Sequence, residues 1–485
     1  MRPRSAYDGG ALDPGVTTTM PDDIQFTDRM SDADALMWTI EKDPALRSTI
    51  TTVMVFDRKI DRARLLERFE RLSRVVPRLR QRVRSNPLSI APPRWEVDPN
   101  FDLHFHLWWV KAPGKGSMAD LMSVAEPIAM SGFDRARPLW RAVVVEGLAG
   151  RRSAIVLKVH HAVTDGVGGM KLQLELLDLT PDAAEREMPP LPPVHVMSQP
   201  ERFVDAFEHQ RKLQFGLLRR GTSSIVGTLG ELVSDPVGVV SSTSELAASV
   251  GRTLRPAPHP LSPLMTGRSL STQFTTITVP MDRIKAAARV AGGKLNDAFV
   301  GGVARGLYAY HLRHGIDCAD LRMAIPINVR TAEMENVAGN AFVPARIELP
   351  IDLDDPIETM QMVRERVSTA RAEPANDLVE PMSNLLNRLP TTTVTALFGT
   401  MVKSVDFTTS NVPGAPFPVY LAGATMESQF PFGPLAGAAL NITLLSYQND
   451  LNIGIASDPA AVPDPDTLVE CLQQGFDEIL AVAPQ

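Results

Sequence analysis

Hydrophobic positions along this chain alternate between a period of two and a period near 3.6, which predicts an α/β protein. Ser31 is a good N-cap, and DADALMWTIE after it predicts the first helix. STITTVMVF predicts a strand. From Asp61 a second helix is expected to carry Leu65, Leu66, Phe69 and Leu72 on one face. HFHLWWV (104–110) reads as a strand. WRAVVVEG and SAIVLKVH read as antiparallel neighbours joined by a turn around Ala149 and Gly150. A short helix, GGMKLQLELLDL, is expected directly after them.

Prolines then break the pattern. The segment 186–200, REMPPLPPVHVMSQP, predicts a domain boundary. Residues 201–250 read as helices of mixed character, followed by a second proline-rich stretch, RPAPHPLSP. From about Ser271 a new α/β pattern starts: strand QFTTITVP, helices MDRIKAAARVAG and NDAFVGGVARGLYAYHLRHG, strands LRMAIPIN and AFVPARIELP. More helices and short strands follow, and PDTLVECLQQGFDEIL predicts a closing helix. A chain of 485 residues exceeds what one compact core organises. The expected plan is a disordered extension (1–28), a first α/β half (29–190), a helical connector (191–270) and a second α/β half (271–485), with no internal repeat.

Composition narrows the partners. The net charge of −7 argues against nucleic acid, whose phosphates demand a basic surface. Two cysteines, Cys318 and Cys471, cannot build a disulfide framework or a zinc site; both are expected to be inert, in a reducing compartment. The N-terminal MRPRSAYDGGALDPG has no apolar core of a secretory signal, and Met20 and Met30 are alternative starts. No stretch of about 18 apolar residues occurs. The expected location is cytoplasmic, at most peripheral to the inner face of the membrane.

The segment that carries chemistry is His160-His161-Ala162-Val163-Thr164-Asp165-Gly166, at the end of the apolar strand SAIVLKVH. Neighbouring strand residues point to opposite faces, so the two histidines do not easily share a metal, and none is expected. One imidazole should face a cleft while the other packs behind it. A cleft-facing imidazole is a good general base near neutral pH. Asp165 lies where the strand turns towards a helix, placed to cap it, pair with an arginine or fix the loop. Gly166, Gly168 and Gly169 permit tight turning and close approach to a ligand. The chain lacks a G-x-S-x-G elbow, a phosphate-binding P-loop and a G-x-G-x-x-G fingerprint. A base with no protein nucleophile points to direct acyl transfer onto a substrate hydroxyl or amine. The competing reading is a packed and hydrogen-bonded histidine pair.

HHAVTDG resembles the HHxxxDG signature of the CoA-dependent acyltransferases related to chloramphenicol acetyltransferase. The surrounding segments resemble, in order, the bacterial wax ester synthase/diacylglycerol acyltransferase family: RMSDADALMWTIE, Pro138-Leu139-Trp140, KLNDAFVGGVARGL, AIPINVR, GNAFVPARIELP, SNVPG and NIGIASDPAAVPDPDTL. The likeness spans roughly residues 29–485. It implies two chloramphenicol acetyltransferase-like domains, each a mixed sheet with helices, joined by the helical connector, with a tunnel at their interface. It implies that His161 is the catalytic base, with His160 beside it, and that Asp165 orients the loop through an ion pair. Gly166, Asn296, Ser410 and Asn411 would bind substrate, and Pro138 and Trp140 would shape the acyl path. The plain alternatives are an N-cap for Asn296, a turn for Ser410-Asn411-Val412-Pro413-Gly414 and core for Trp140. SNVPG continues as Ala415-Pro416, a departure from the family's pattern that predicts a different local turn.

The implied reaction moves a long acyl chain from acyl-CoA, a co-substrate rather than a bound cofactor, to a diacylglycerol or a fatty alcohol. Nothing in the residues separates those acceptors. A carrier-protein-dependent condensing or ester-forming enzyme shares the histidine site, and a non-catalytic lipid-binding paralogue would keep the fold. The connector from Glu201 sets Phe203, Phe207, Phe215, Leu217 and Leu218 beside Arg211, Lys212, Arg219 and Arg220. That composition suits peripheral docking on a membrane or lipid droplet, and equally an interdomain helix packed inward.

Overall fold

The computed structural model describes residues 26–86, 91–163, 166–212, 259–328, 342–373 and 391–484. Their strands form two six-stranded mixed sheets. The first runs β11-β12-β1-β6-β5-β4, built from β1 (Thr49–Phe56), β4 (Leu107–Lys111), β5 (Trp140–Glu146), β6 (Ser153–His160), β11 (Tyr420–Leu421) and β12 (Ala424–Phe432). The second runs β7-β14-β13-β10-β8-β9, from β7 (Gln273–Pro280), β8 (Asp320–Asn328), β9 (Phe342–Pro350), β10 (Phe407–Val412), β13 (Leu440–Tyr447) and β14 (Asp450–Ser457). A ribbon of β2 (Gln81–Arg84) and β3 (Arg94–Val97) stands apart. The architecture is the expected α/β one.

Most expected elements stand where the pattern put them. Helix α1 (Asp32–Ile40) starts on Ser31, whose hydroxyl accepts the Asp34 N–H. Helix α2 (Arg62–Val75) starts on Asp61 and buries Leu65, Phe69 and Leu72. HFHLWWV departs from expectation. Its first part belongs to a single helical turn, α3 (Leu103–His106), and only Leu107 onward is strand. Asp102 caps that turn by accepting the His104 N–H, and the His106 ring is buried against Trp140. Side-chain capping and burial override the alternation here.

Two strands of the second half complete the first sheet. β12 pairs antiparallel with β1, Thr51 opposite Phe432 and Val53 opposite Phe430. Face parity then sorts the cores. Trp140, Ala142, Val144, Ile155, Leu157 and Val159 share one face of the first sheet and pack with α2 and α5 (Gly166–Leu176). Val53, Val55, Val143, Val156, Phe430 and Phe432 share the other. That second face packs on helix α4 (Met118–Met130) and on Phe274 and Ala456 of the second sheet.

The second sheet is equally two-sided. Phe407, Ile442, Leu444, Ile453 and Ile455 lie on the face covered by helices Leu295–Arg313 and Pro465–Ala481. Its other face carries Thr408, Ser410, Asn441, Thr443, Gly454 and Asn452 and turns towards β12. The approach is close. Phe274 stacks on Phe432 with centroids 4.0 Å apart, and a β-carbon built on Gly454 would meet the Pro431 carbonyl oxygen at 1.9 Å. Only glycine fits there, because the obstacle is backbone.

Gly454→Ala should therefore cost about 1–3 kcal/mol or more, the usual range for an overpacked core. Thermal unfolding would read it as a lowered Tm, against Gly169→Ala as control, where nothing lies within 4 Å of the added carbon.

Candidate active site

The two histidines sit at the junction of β6 with a short 3-10 turn, His161–Val163. His160 is fully buried and His161 half-buried. Strand register places His160 and Lys158 on the face that turns towards the second sheet, opposite Thr49 and Thr51 of β1. The His160 ring packs edge-on to Trp38 and Phe133, at 5.5 and 6.2 Å between centroids. Its Nδ1 accepts the Ala162 N–H at 3.0 Å. Its Nε2 lies 2.9 Å from Glu41 Oε1, although the N–H direction falls short of a well-aligned hydrogen bond. Burial alone would raise the Glu41 pKa; the His160 contact and the Ser48 N–H, which donates to Oε1 at 2.6 Å, more than offset it. Glu41 is thereby held below the ordinary carboxylate range.

Lys158 is buried, and among the described residues no carboxylate lies within hydrogen-bond reach of its ammonium. Its ammonium donates to the Ser131 carbonyl and, at 2.9 Å, to the Ser131 hydroxyl, over the Phe133 ring. Burial first, then repulsion from Arg141 and Arg47, pushes its pKa down to about 7, against a weaker pull from Glu41. Arg47 donates to the Met130 carbonyl at 2.7 Å, so two cations face the C-terminal end of α4, the favourable sign for that end of a helix.

The remaining expected residues are spread over several elements. Trp140 opens β5 and is core: its ring lies between Phe69 and His106, and its indole N–H donates to the Leu79 carbonyl at 2.8 Å. Pro138 is buried and, with Trp140, Phe133, Arg141 and Lys158, borders a small pocket. Asn296 is not the N-cap that its position invited. Lys294 caps the helix Leu295–Arg313, its N–H donating to Asp297 at 2.7 Å, and Asn296 is half-buried in the first turn. Ser410-Asn411-Val412 is the end of strand β10 rather than a turn. Ser410 faces β12 beside the hydrogen-bonded set Thr408, Asn441 and Thr443, and Asn411 is exposed. Gly166 begins α5, and Asp165 lies outside the described residues.

Sequence reasoning passes over Glu41, Ser48 and Lys158. A lysine inside the apolar run SAIVLKVH was the available signal for the last. Glu41 follows the C-terminal end of α1, where a carboxylate opposes the helix dipole unless a specific partner holds it. Among the described residues, no group of three or more His, Cys, Asp or Glu is arranged to hold a metal.

The profile of the wax ester synthase/diacylglycerol acyltransferase catalytic domain matches residues 30–299, and that of the corresponding C-terminal domain matches 338–480. A Mycobacterium tuberculosis (strain H37Rv) protein with a provisional diacylglycerol O-acyltransferase name is 36% identical, over 95% of this chain and 93% of its own. A second from that strain, also provisionally so named, is 28% identical over 94% and 97%. The wax ester synthase/diacylglycerol acyltransferase from Marinobacter aquaeolei VT8 superposes with a TM-score of 0.61 at 21% identity, covering 93% of this chain and 98% of that one. The first condensation domain of the calcium-dependent antibiotic synthetase superposes at 0.56 with 16% identity, covering 93% and 95%. Both structures share the fold.

Because the folded pKa of Lys158 lies below its unfolded value, the unfolded chain binds more protons between about pH 7 and 10.5. Stability contributed by this group is lowest below pH 7 and recovers as pH rises through that window. Lys158→Met should flatten the rise of Tm from pH 7 to 9.5 relative to the wild type. Parallel melting curves across that range check it, and an unchanged difference at every pH would contradict it.

Proposed function

The chain belongs to the wax ester synthase/diacylglycerol acyltransferase family, and on that premise we propose that it moves a long-chain acyl group from acyl-CoA to a lipid hydroxyl. The product is a triacylglycerol from a diacylglycerol, or a wax ester from a fatty alcohol. One observation carries the reading: the second histidine of HHAVTDG stands half-buried at a strand end, its backbone N–H held at 2.8 Å by the Ser48 carbonyl.

In the proposed reaction the acceptor hydroxyl hydrogen-bonds His161, which removes the proton as oxygen attacks the thioester carbonyl carbon. The tetrahedral oxyanion needs donors about 3 Å away, and Asn296 or groups near Ser410 and Asn411 are the proposed source. Collapse breaks the carbon–sulfur bond, and the imidazolium returns its proton to the leaving thiolate. Asp165 would orient the loop that carries His161, and Gly166 would let substrate approach the backbone. Pro138 and Trp140 would bound the acyl path from behind, in keeping with their burial. The acceptor and donor would meet in a tunnel between the two halves.

Release of free CoA thiol from palmitoyl-CoA, with hexadecanol or dioleoylglycerol as acceptor, tests the reading. His161→Ala should lower the rate by about 10²–10⁴, the usual contribution of a general base. A variant with full activity would refute the mechanism. Acyl transfer only from an acyl-carrier protein would assign the donor instead to a carrier-dependent enzyme, and tight lipid binding without His161-dependent product would mark a binding protein.

Among the described residues, no helix is long and apolar enough to cross a membrane. The helical residues 199–212 offer a peripheral contact. Arg202 and Ala206 are buried, and Asp205 pairs with Arg29 and Arg94, whereas Phe203, Val204 and Phe207 are exposed with Arg211 and Lys212. Phe215, Leu217, Leu218, Arg219 and Arg220 of the expected connector lie outside the described residues. Exposed aromatics next to cations suit an anionic lipid surface. The protein should float with vesicles containing phosphatidylglycerol, and Phe203→Ser with Phe207→Ser should reduce the floated fraction severalfold.

A further inference from the structure

We propose that Glu41, to which neither the family likeness nor the sequence assigns a role, is a positioning residue for His161 and acts through the His160 ring. This inference rests on the proposed acyl transfer.

The geometry forms a circuit of contacts around one short stretch of backbone. Ser48 precedes β1; its N–H donates to Glu41 Oε1 at 2.6 Å, and its carbonyl accepts the His161 N–H at 2.8 Å. The same Oε1 lies 2.9 Å from His160 Nε2. On the other side of the ring, Nδ1 accepts the Ala162 N–H at 3.0 Å. The His160 N–H itself donates to the Leu139 carbonyl at 3.0 Å. The amides on both sides of the His161 α-carbon are therefore fixed, one by Ser48 and one by the His160 ring.

Proton placement explains why a carboxylate belongs at this point. An Nδ1 that accepts from Ala162 carries no proton, so the proton of a neutral ring sits on Nε2, facing Glu41. Glu41 selects that tautomer. The other tautomer would set a ring N–H against the Ala162 N–H and release the turn that carries His161. Ring burial by Trp38 and Phe133 keeps water from substituting for the missing partner. Because one oxygen faces both Ser48 and His160, the position and reach of that oxygen matter more than the charge. Glutamine can reproduce them; alanine cannot, and aspartate is too short to reach both.

Thiol release with palmitoyl-CoA reads the consequence in Glu41→Ala, Glu41→Gln, His160→Ala and the double variant Glu41→Ala/His160→Ala, with His161→Ala as reference. Loss of positioning should lower kcat about 10- to 100-fold in Glu41→Ala, with KM for both substrates within about threefold. Glu41→Gln should recover most of that loss, and the double variant should be no worse than His160→Ala alone. A wild-type kcat in Glu41→Ala, or losses that multiply in the double variant, would overturn the proposal. If the alanine variant does not fold, Glu41→Asp carries the same expectation. A second readout needs no turnover. In protein labelled with 15N-histidine, the slowly exchanging His160 Nε2 proton, assigned by its loss in His160→Ala, should persist in Glu41→Gln and vanish in Glu41→Ala or Glu41→Asp. Its persistence in those last two variants would refute the circuit. Activity retained by His161→Ala would instead refute the proposed mechanism and leave the spectroscopic result to decide the role of Glu41.

Discussion

The antiparallel pairing of β12 with β1 is the constraint on which the rest of the structure depends. It carries a strand from the C-terminal part of the chain into the first sheet and obliges the second sheet to lie against it. The face of the second sheet that meets β12 pays for this in side-chain size: glycine at 454 under the Pro431 carbonyl, and threonine, serine and asparagine where the opposite face has isoleucine, leucine and phenylalanine. The same pairing fixes β1 from one side while β6 fixes it from the other. Ser48, immediately before β1, then holds both Glu41 and the His161 amide. The crossover thus reaches the histidines through a single strand.

How much of this was legible depended on the range of the interaction. Local periodicity and capping gave α1 from Ser31, α2 from Asp61 and β7 over Gln273–Pro280. They failed at His104, where a cap from Asp102 and the burial of His106 favoured a helical turn over the strand suggested by alternation. They failed also at Ser410, because Pro413 and Gly414 advertise a turn while the parallel partner Thr443 holds the preceding residues in a strand. The pairing of Thr51 with Phe432 has no local signature, since neither residue signals the other across the intervening chain. The histidine pair was legible as a candidate site. Its support by Glu41 and Ser48 was not, because the contact exists only after α1, β1 and β6 have assembled.

Burial divides the imidazoles by what each can do. His106 is fully enclosed; burial, opposed only in part by its bond to the Trp140 carbonyl, pushes its pKa down to about 4. An imidazole so placed is a poor proton acceptor near neutral pH, and it serves here as a stacking partner for Trp140. His160 is equally buried, its Nδ1 accepting from Ala162 and its Nε2 set 2.9 Å from Glu41. Neither ring can exchange a proton with a substrate without dismantling its surroundings. His161 keeps solvent contact, and its backbone is held on both sides. A proposed base needs that combination: a ring that reaches solvent for proton exchange, and rigidity at the main chain for alignment with the attacking oxygen. Fixing the main chain through the neighbouring imidazole separates the two demands, so the proposed positioning groups can be buried while the proposed base is not.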